Sequence, residues 1–147
     1  MKIHATRLLA AALMLFSVTA AIAEDDHAYT EGPVVNVSYI RTEPGKFDEY
    51  LRYLSTTYKA LMEEQKRAGI IQDYAVYAAV PRTPQDADLI LTVTYKNMAA
   101  LDGLNAKTDP LVKKVFSSLG KADEASAERG KLRTQLGSEF VRKLELK

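Results

Sequence analysis

Apolar and polar side chains alternate from Val34 to Arg41, with Val35, Val37 and Tyr39 set against Asn36 and Ser38. A period of two in β-branched and aromatic residues predicts a strand. The period then changes. Phe47, Tyr50, Leu51, Leu54, Tyr58, Leu61 and Met62 recur three or four positions apart, which lines one stripe of a helix. Thr42 or Glu43 can cap that helix, Pro44 suits its first position, and Asp48 and Glu49 sit near its positive end. Lys66, Arg67 and Gly69 mark its close.

Alternation returns from Ile70 to Val80, with Tyr74, Val76 and Ala78 opposite Ala75, Tyr77 and Ala79, and again from Asp88 to Lys96, with Leu89, Leu91, Val93 and Tyr95 opposite Ile90, Thr92 and Thr94. The loop between them, Pro81 to Asp86, is short enough that the two strands should pair antiparallel. Asn97 caps a short helix over Met98 to Leu104. Asp109-Pro110 opens another, whose Leu111, Val112, Val115, Phe116 and Leu119 share a face before Gly120 stops it. Lys121 to Arg133 is Ala-rich and charged, an exposed helix. Phe140 to Leu146 alternates as a closing strand.

The order is β-α-β-β-α-β with an extra helix before the last strand. That is an α+β, ferredoxin-like arrangement: a four-stranded antiparallel sheet with helices on one face. Several strands carry apolar residues on both sides, as with Val34 and Ile40 against Val35 and Val37. A sheet with an apolar back needs a cover, so a homodimer is expected in which two sheets pack together.

Ahead of this domain, Lys2 and Arg7 precede an uncharged run from Leu8 to Ala23 that ends in Ala21-Ile22-Ala23. Basic, then apolar, then small-x-small is the order of a cleavable export signal. The apolar core from Leu8 to Val18 is shorter than the ~20 residues that span a bilayer. The reading is a bacterial-type signal peptide over 1–23, a flexible tail over 24–33 and one domain over 34–147. The product should be periplasmic or secreted, with no membrane anchor after cleavage. His27 stands beside Asp25 and Asp26, but three neighbours on a flexible tail give no fixed metal geometry, so no metal site is expected.

Composition narrows the chemistry. The 147 residues contain no Cys, no Trp and only two His, which removes thiol nucleophiles, Cys-zinc sites and iron–sulfur ligation. The whole chain has 20 Lys and Arg against 19 Asp and Glu; the signal takes Lys2 and Arg7, leaving 18 against 19 and a net charge of −1. Basic and acidic residues are interleaved, so no nucleic-acid partner is expected. Ser38, Ser55 and Ser138 lack a His to activate them. Glu63-Glu64 beside Lys66-Arg67 reads as a solvated helix end.

Val35-Asn36-Val37-Ser38-Tyr39-Ile40-Arg41, the entry Pro44-Gly45-Lys46-Phe47 with Tyr50-Leu51 after it, and Leu91-Thr92-Val93-Thr94-Tyr95 before a capped helix together resemble the dimeric α/β-barrel superfamily. Its members include antibiotic-biosynthesis-type monooxygenases, haem-degrading relatives and uncharacterised exported proteins. The resemblance implies a dimeric barrel and places Asn36 where cofactor-free oxygenases of the superfamily hold substrate with an Asn. Haem-using members need a His ligand, and the mature chain offers only His27, so no cofactor is expected.

Candidate site residues are the polar and aromatic side chains on strands: Asn36, Tyr39, Tyr74, Tyr77, Tyr95 and Arg142. Converging between sheet and helices, they would offer hydrogen bonds and a cation to a small planar molecule. Each also has a structural reading, with Tyr at a surface or dimer seam and Arg142 as an edge-strand charge. Catalytic residues are not legible. The expected function is an exported binding protein for a small apolar or aromatic ligand, or a non-enzymatic module; the alternative is a cofactor-independent monooxygenase or isomerase acting on a small aromatic compound.

Overall fold

The computed structural model describes residues 26–147. The signal expected over 1–23 lies outside the described residues. Strand β1 spans Tyr29–Thr42. A long helix follows in three stretches: α1 (Phe47–Tyr53), a π-turn (Leu54–Tyr58) and α2 (Lys59–Arg67). Strands β2 (Asp73–Ala78) and β3 (Leu89–Tyr95) come next, then a 3₁₀ turn at Met98–Leu101, helices α3 (Leu104–Phe116) and α4 (Leu119–Gly130), and strand β4 (Arg133–Leu146).

All strand pairs are antiparallel, in the spatial order β2-β3-β1-β4. Together with the element order this is the ferredoxin-like α+β fold. Side chains alternate across the sheet, so register decides which residues meet. Asn36 lies opposite Val93 on one side and Phe140 on the other, and Tyr74 opposite Val93. Val34, Asn36, Ser38 and Ile40 therefore share the helix-covered face with Leu89, Leu91, Val93 and Tyr95. Val35, Val37, Tyr39, Ile90 and Val141 share the other.

The core forms where the long helix lies on the first of these faces. Tyr50 and Leu54 pack on Ile40, Leu89 and Leu91, while Met62 packs on Ile71 and Tyr95. Tyr50 and Leu89 are each 1% exposed, and burial of side chains this size stabilises by about 1.5–3 kcal/mol apiece. Asp88 joins the strands at one end of the sheet: its Oδ1 accepts the Thr42 amide at 3.0 Å, its Oδ2 accepts the Thr42 hydroxyl, and its own amide donates to the Ile40 carbonyl at 3.0 Å.

Several expectations need correction. The segment expected to be a tail is paired from Tyr29 onward, because Tyr29, Thr30 and Glu31 find Leu146, Glu145 and Leu144 on β4. Gly32 sits at the register shift that follows, where a Cβ would come within 3.0 Å of the Lys143 carbonyl oxygen. The closing strand starts at Arg133 rather than Phe140, since backbone pairing to β1 continues through a polar stretch that no apolar alternation reveals. Pro44 does not open the helix. Pro44-Gly45 form a turn, with Gly45 at φ 75° and the Lys46 amide bonded to the Glu43 carbonyl at 2.8 Å, and the helix begins at Phe47.

Asp109-Pro110 likewise opens nothing. Helix α3 already runs from Leu104 and carries Pro110 inside it, while the expected short helix before it is only the 3₁₀ turn. Helix α3 ends at Phe116, with Ser117 after it at φ 72°, and Ser118 caps the next by accepting the Lys121 amide at 3.1 Å, so Gly120 lies within α4 rather than stopping a helix.

Candidate functional site

The π-turn sets the position of Tyr58. Ser55 Oγ and Thr56 Oγ1 both donate to the Arg52 carbonyl, at 2.9 and 2.8 Å, in the preceding turn. Such back-bonding competes with the helical amide for the same oxygen and favours local widening. Tyr58 consequently leans over the sheet beside Tyr74, their rings edge-on with centroids 6.0 Å apart and 80° between planes.

A second constraint comes from the junction of α4 and β4. Leu132 is pinned by its amide to Arg129 (3.0 Å) and by its carbonyl to the Glu43 amide (2.9 Å), and its side chain packs on the core. Arg129 and Arg133, on either side of it, both reach the space beneath the long helix. Arg129 lies over the Tyr53 ring, 5.7 Å from its centroid, with Nη1 donating to Tyr53 Oη at 3.3 Å and Nη2 to Ser126 Oγ at 3.1 Å. Arg133 Nη1 donates to Gln135 Oε1 at 3.2 Å.

These elements enclose a cavity of about 220 Å³. Asn36, Ser38 and Gln135 line it from the sheet, Tyr50 and Tyr58 from the helix, Arg129 and Arg133 from the junction, and Ile40, Leu91 and Val93 form its apolar floor. Three buried side-chain atoms have no hydrogen-bond partner among the described residues: Tyr58 Oη, Arg129 Nε and Arg133 Nε. All three belong to residues that line this cavity. Neither guanidinium forms an ion pair among the described residues; the nearby Glu128 is taken by Lys131 at 2.7 Å.

Electrostatics fix the protonation of the lining. Burial, reinforced by the neighbouring tyrosines, raises the Tyr58 hydroxyl far above its usual range. Burial also raises Tyr50, with Arg133 and Arg129 pulling the other way. Both hydroxyls stay protonated near neutrality, and guanidinium groups do not lose their protons in proteins. The cavity therefore presents donors and positive charge, and no group poised to take a proton.

Larger concavities exist at the surface, one of about 590 Å³ around Gly69, Lys96 and Lys107, another of about 440 Å³ around Pro44, Pro81 and Asp88. Several of their polar groups are already committed. Lys107 Nζ donates to the Ala100 carbonyl at 3.2 Å, Asp88 holds Thr42, and Asp86 accepts the Arg82 and Thr83 amides at 3.1 and 2.9 Å.

The six sequence candidates do not converge. Asn36 enters the cavity, where its Oδ1 accepts the Ser38 hydroxyl at 3.3 Å. Tyr74 shares the sheet face but lines the next groove with Leu51, Leu54 and Val76, its hydroxyl donating to Glu63 at 2.6 Å. Tyr95 is buried against Met62 and Ile71, near Phe140. Arg142 is ion-paired with Glu31. Tyr39 and Tyr77 lie on the opposite face, where Tyr39 donates to Glu139 at 2.8 Å and Tyr77 is 56% exposed. Register separates them: odd positions of β1 and β2 cannot share a face with even ones. The residues missed are Tyr50, Tyr58, Arg129, Arg133 and Gln135. The two tyrosines were visible only as part of the helix's apolar stripe.

No protein-family model and no curated protein matches the chain. Solved structures do. HapK from Hahella chejuensis is 10% identical, with 75% of this chain and 91% of that chain covered at a TM-score of 0.52. A dimeric ferredoxin-like protein from an uncultured marine organism is 11% identical over 78% and 95%, at 0.49. A conserved protein from Methanosarcina mazei Go1 is 18% identical over 76% and 91%, at 0.45. The likeness to HapK agrees with the ferredoxin-like topology read from the strand order, and it is a likeness of fold alone.

Proposed function

We propose that the protein binds a small organic ligand in the cavity between its sheet and its long helix. The observation that carries this reading is the set of three buried donors left without partners, Tyr58 Oη, Arg129 Nε and Arg133 Nε, each on a side chain that lines the one cavity. A buried donor with no acceptor costs about 1–3 kcal/mol, and a fold tolerates several together where something else satisfies them. Asn36 and Gln135 add amide groups to the same wall, and the floor of Ile40, Leu91 and Val93 suits the flat of a ring or chain. Binding stands ahead of turnover because the lining has no general base.

Ligand-observed NMR against a panel of small aromatic and aliphatic compounds tests this. Signals of some members should broaden with the wild-type chain and recover with Tyr58→Phe/Asn36→Leu. If no member of the panel responds, the cavity is a packing feature and the reading fails.

We propose further that the protein acts outside the cytoplasm as a homodimer. Residues 1–23 have the order of an export signal, so mass spectrometry of the product from the full precursor should give a chain beginning at Glu24. The second copy would cover the open face of the sheet, where Val35, Val37, Ile90 and Val141 stand in rows that suit the stacking of two sheets about 10 Å apart.

A further inference from the structure

Unpartnered groups have a sign. Arg Nε is a donor only, and the Tyr58 hydroxyl stays protonated and can donate as well as accept, so all three orphaned atoms have a hydrogen to offer. The two guanidinium groups bring positive charge that no carboxylate among the described residues offsets. A neutral ligand would leave both charges uncompensated in a partly desolvated space, which is costly.

A second chamber of about 160 Å³ adjoins the first and shares two of its walls, Tyr58 and Arg129. Its remaining wall is mostly apolar: Tyr53, Leu61, Val112 and Phe116 from α1, α2 and α3. Each chamber alone is below the ~300 Å³ at which small-molecule sites usually begin, and joined they pass it. Tyr58 stands between them on the π-turn, a segment whose carbonyl ladder is already loosened by Ser55 and Thr56.

We infer that the ligand is an organic carboxylate with an apolar body, its carboxylate held by Arg129, Arg133 and the Tyr58 hydroxyl and its body lying past Tyr58 against Leu61, Val112 and Phe116. The inference rests on the proposed binding function and specifies its ligand class. A carboxylate matches the site in number as well as charge. Two oxygens carry acceptor sites enough for the three donors, once the side chains turn towards the ligand, and suit the planar guanidinium fork. A phosphate has more acceptor sites than these donors fill, and nothing on it would occupy the apolar chamber.

Matched ligands separate the inference from the reading beneath it. Calorimetry on the purified chain would compare phenylacetate, phenylacetamide, acetate and inorganic phosphate. Phenylacetate should bind at least ~10-fold tighter than its amide, since charge-assisted hydrogen bonds are about twice as strong as neutral ones. Acetate should be weaker than phenylacetate. Arg133→Gln and Arg129→Gln should each remove the preference for acid over amide, and Phe116→Ala should weaken phenylacetate while leaving acetate unchanged, with folding of every variant checked by circular dichroism. Should an arginine variant misfold, Arg133→Lys, which keeps charge and loses the fork, serves in its place and should weaken phenylacetate several-fold.

Equal affinity for acid and amide would overturn the carboxylate inference and leave the binding function standing. Phosphate binding more tightly than phenylacetate would overturn it as well. No binding by phenylacetate would also overturn it, while the binding function stands or falls on the wider compound panel.

Discussion

Arg129 lies over the ring of Tyr53, 5.7 Å from its centroid, and donates to that ring's own hydroxyl at 3.3 Å. One aromatic side chain thus holds the guanidinium by its face and by its edge. Tyr53 is itself steadied by near-parallel stacking on buried Tyr50, at 6.1 Å and 7°. Tyr53 is therefore a positioning residue for the cavity's cation as well as a wall of the adjoining chamber. Tyr53→Phe removes only the hydrogen bond, worth about 0.5–1.5 kcal/mol. Tyr53→Leu also removes the cation–π contact, a further ~0.5–1 kcal/mol. Thermal melts should fall in that order, and the preference for carboxylate over amide should shrink in the same order. A preference unchanged in Tyr53→Leu would show that Arg129 does not need this support.

Alkaline stability should depend on Tyr74. Burial and the hydrogen bond to Glu63 push its hydroxyl up to about 12 from an ordinary 10.0. The folded chain thus keeps this proton after the unfolded chain has lost it. The resulting stability is full below about pH 10 and is lost as pH rises towards 12. Burial raises Tyr58 and Tyr50 too, so both add in the same direction. Urea midpoints followed across that window should decline in the wild type and decline less steeply in Tyr74→Phe. Glu63→Gln, which keeps the Tyr74 hydroxyl but removes the negative acceptor, should also flatten the slope; a wild-type slope in both variants would refute the assignment.

What was readable in the sequence follows from what kind of contact made each element. β1 and β3 are recognisable because their alternating faces are apolar, and the long helix because its stripe is continuous from Phe47 to Met62. The first half of β4 is not, because Thr134, Gln135 and Ser138 are held by backbone pairing to β1, which leaves no mark on side-chain chemistry. Asn36 was identifiable as an amide among apolar neighbours. Arg129 and Arg133 were not, since each sits among charged residues in a stretch that looks solvated, and only the packing of Leu132 between them turns both inward. Tyr39 and Tyr77 were grouped with Asn36 by residue type, when strand parity already put them on the other face.

The Asp88 carboxylate should be one of the costlier polar groups to remove. It takes both the amide and the hydroxyl of Thr42, bridging the end of β1 to the start of β3. Hydrogen bonds to a charged acceptor contribute about 1.5–3 kcal/mol each. Asp88→Ala should lower stability by roughly 2–4 kcal/mol, less than the sum because water reaches the freed groups. Asp88→Asn keeps one carbonyl acceptor and should fall between. Equilibrium urea unfolding measures both, and a loss below about 0.5 kcal/mol for Asp88→Ala would mean the bridge is solvent-compensated.

The open face of the sheet gives the sharpest test of assembly. Val37 and Ile90 lie near its centre, Val37 opposite Thr92 and Ile90 opposite Tyr39, with no helix over them. In a two-fold dimer each residue is used twice, so one substitution places two charges in the seam. Burying an Ile or Val contributes about 1.5–3 kcal/mol per side chain, and a lysine in its place adds the cost of an unpaired charge. Ile90→Lys and Val37→Lys should therefore convert dimer to monomer in sedimentation velocity while leaving the far-ultraviolet spectrum unchanged, because both positions face away from the helix-covered core. Val80→Lys, on a loop position that is 94% exposed, should change neither. A wild-type chain that sediments as a monomer throughout would end the proposal, and so would an Ile90→Lys chain that still sediments as a dimer.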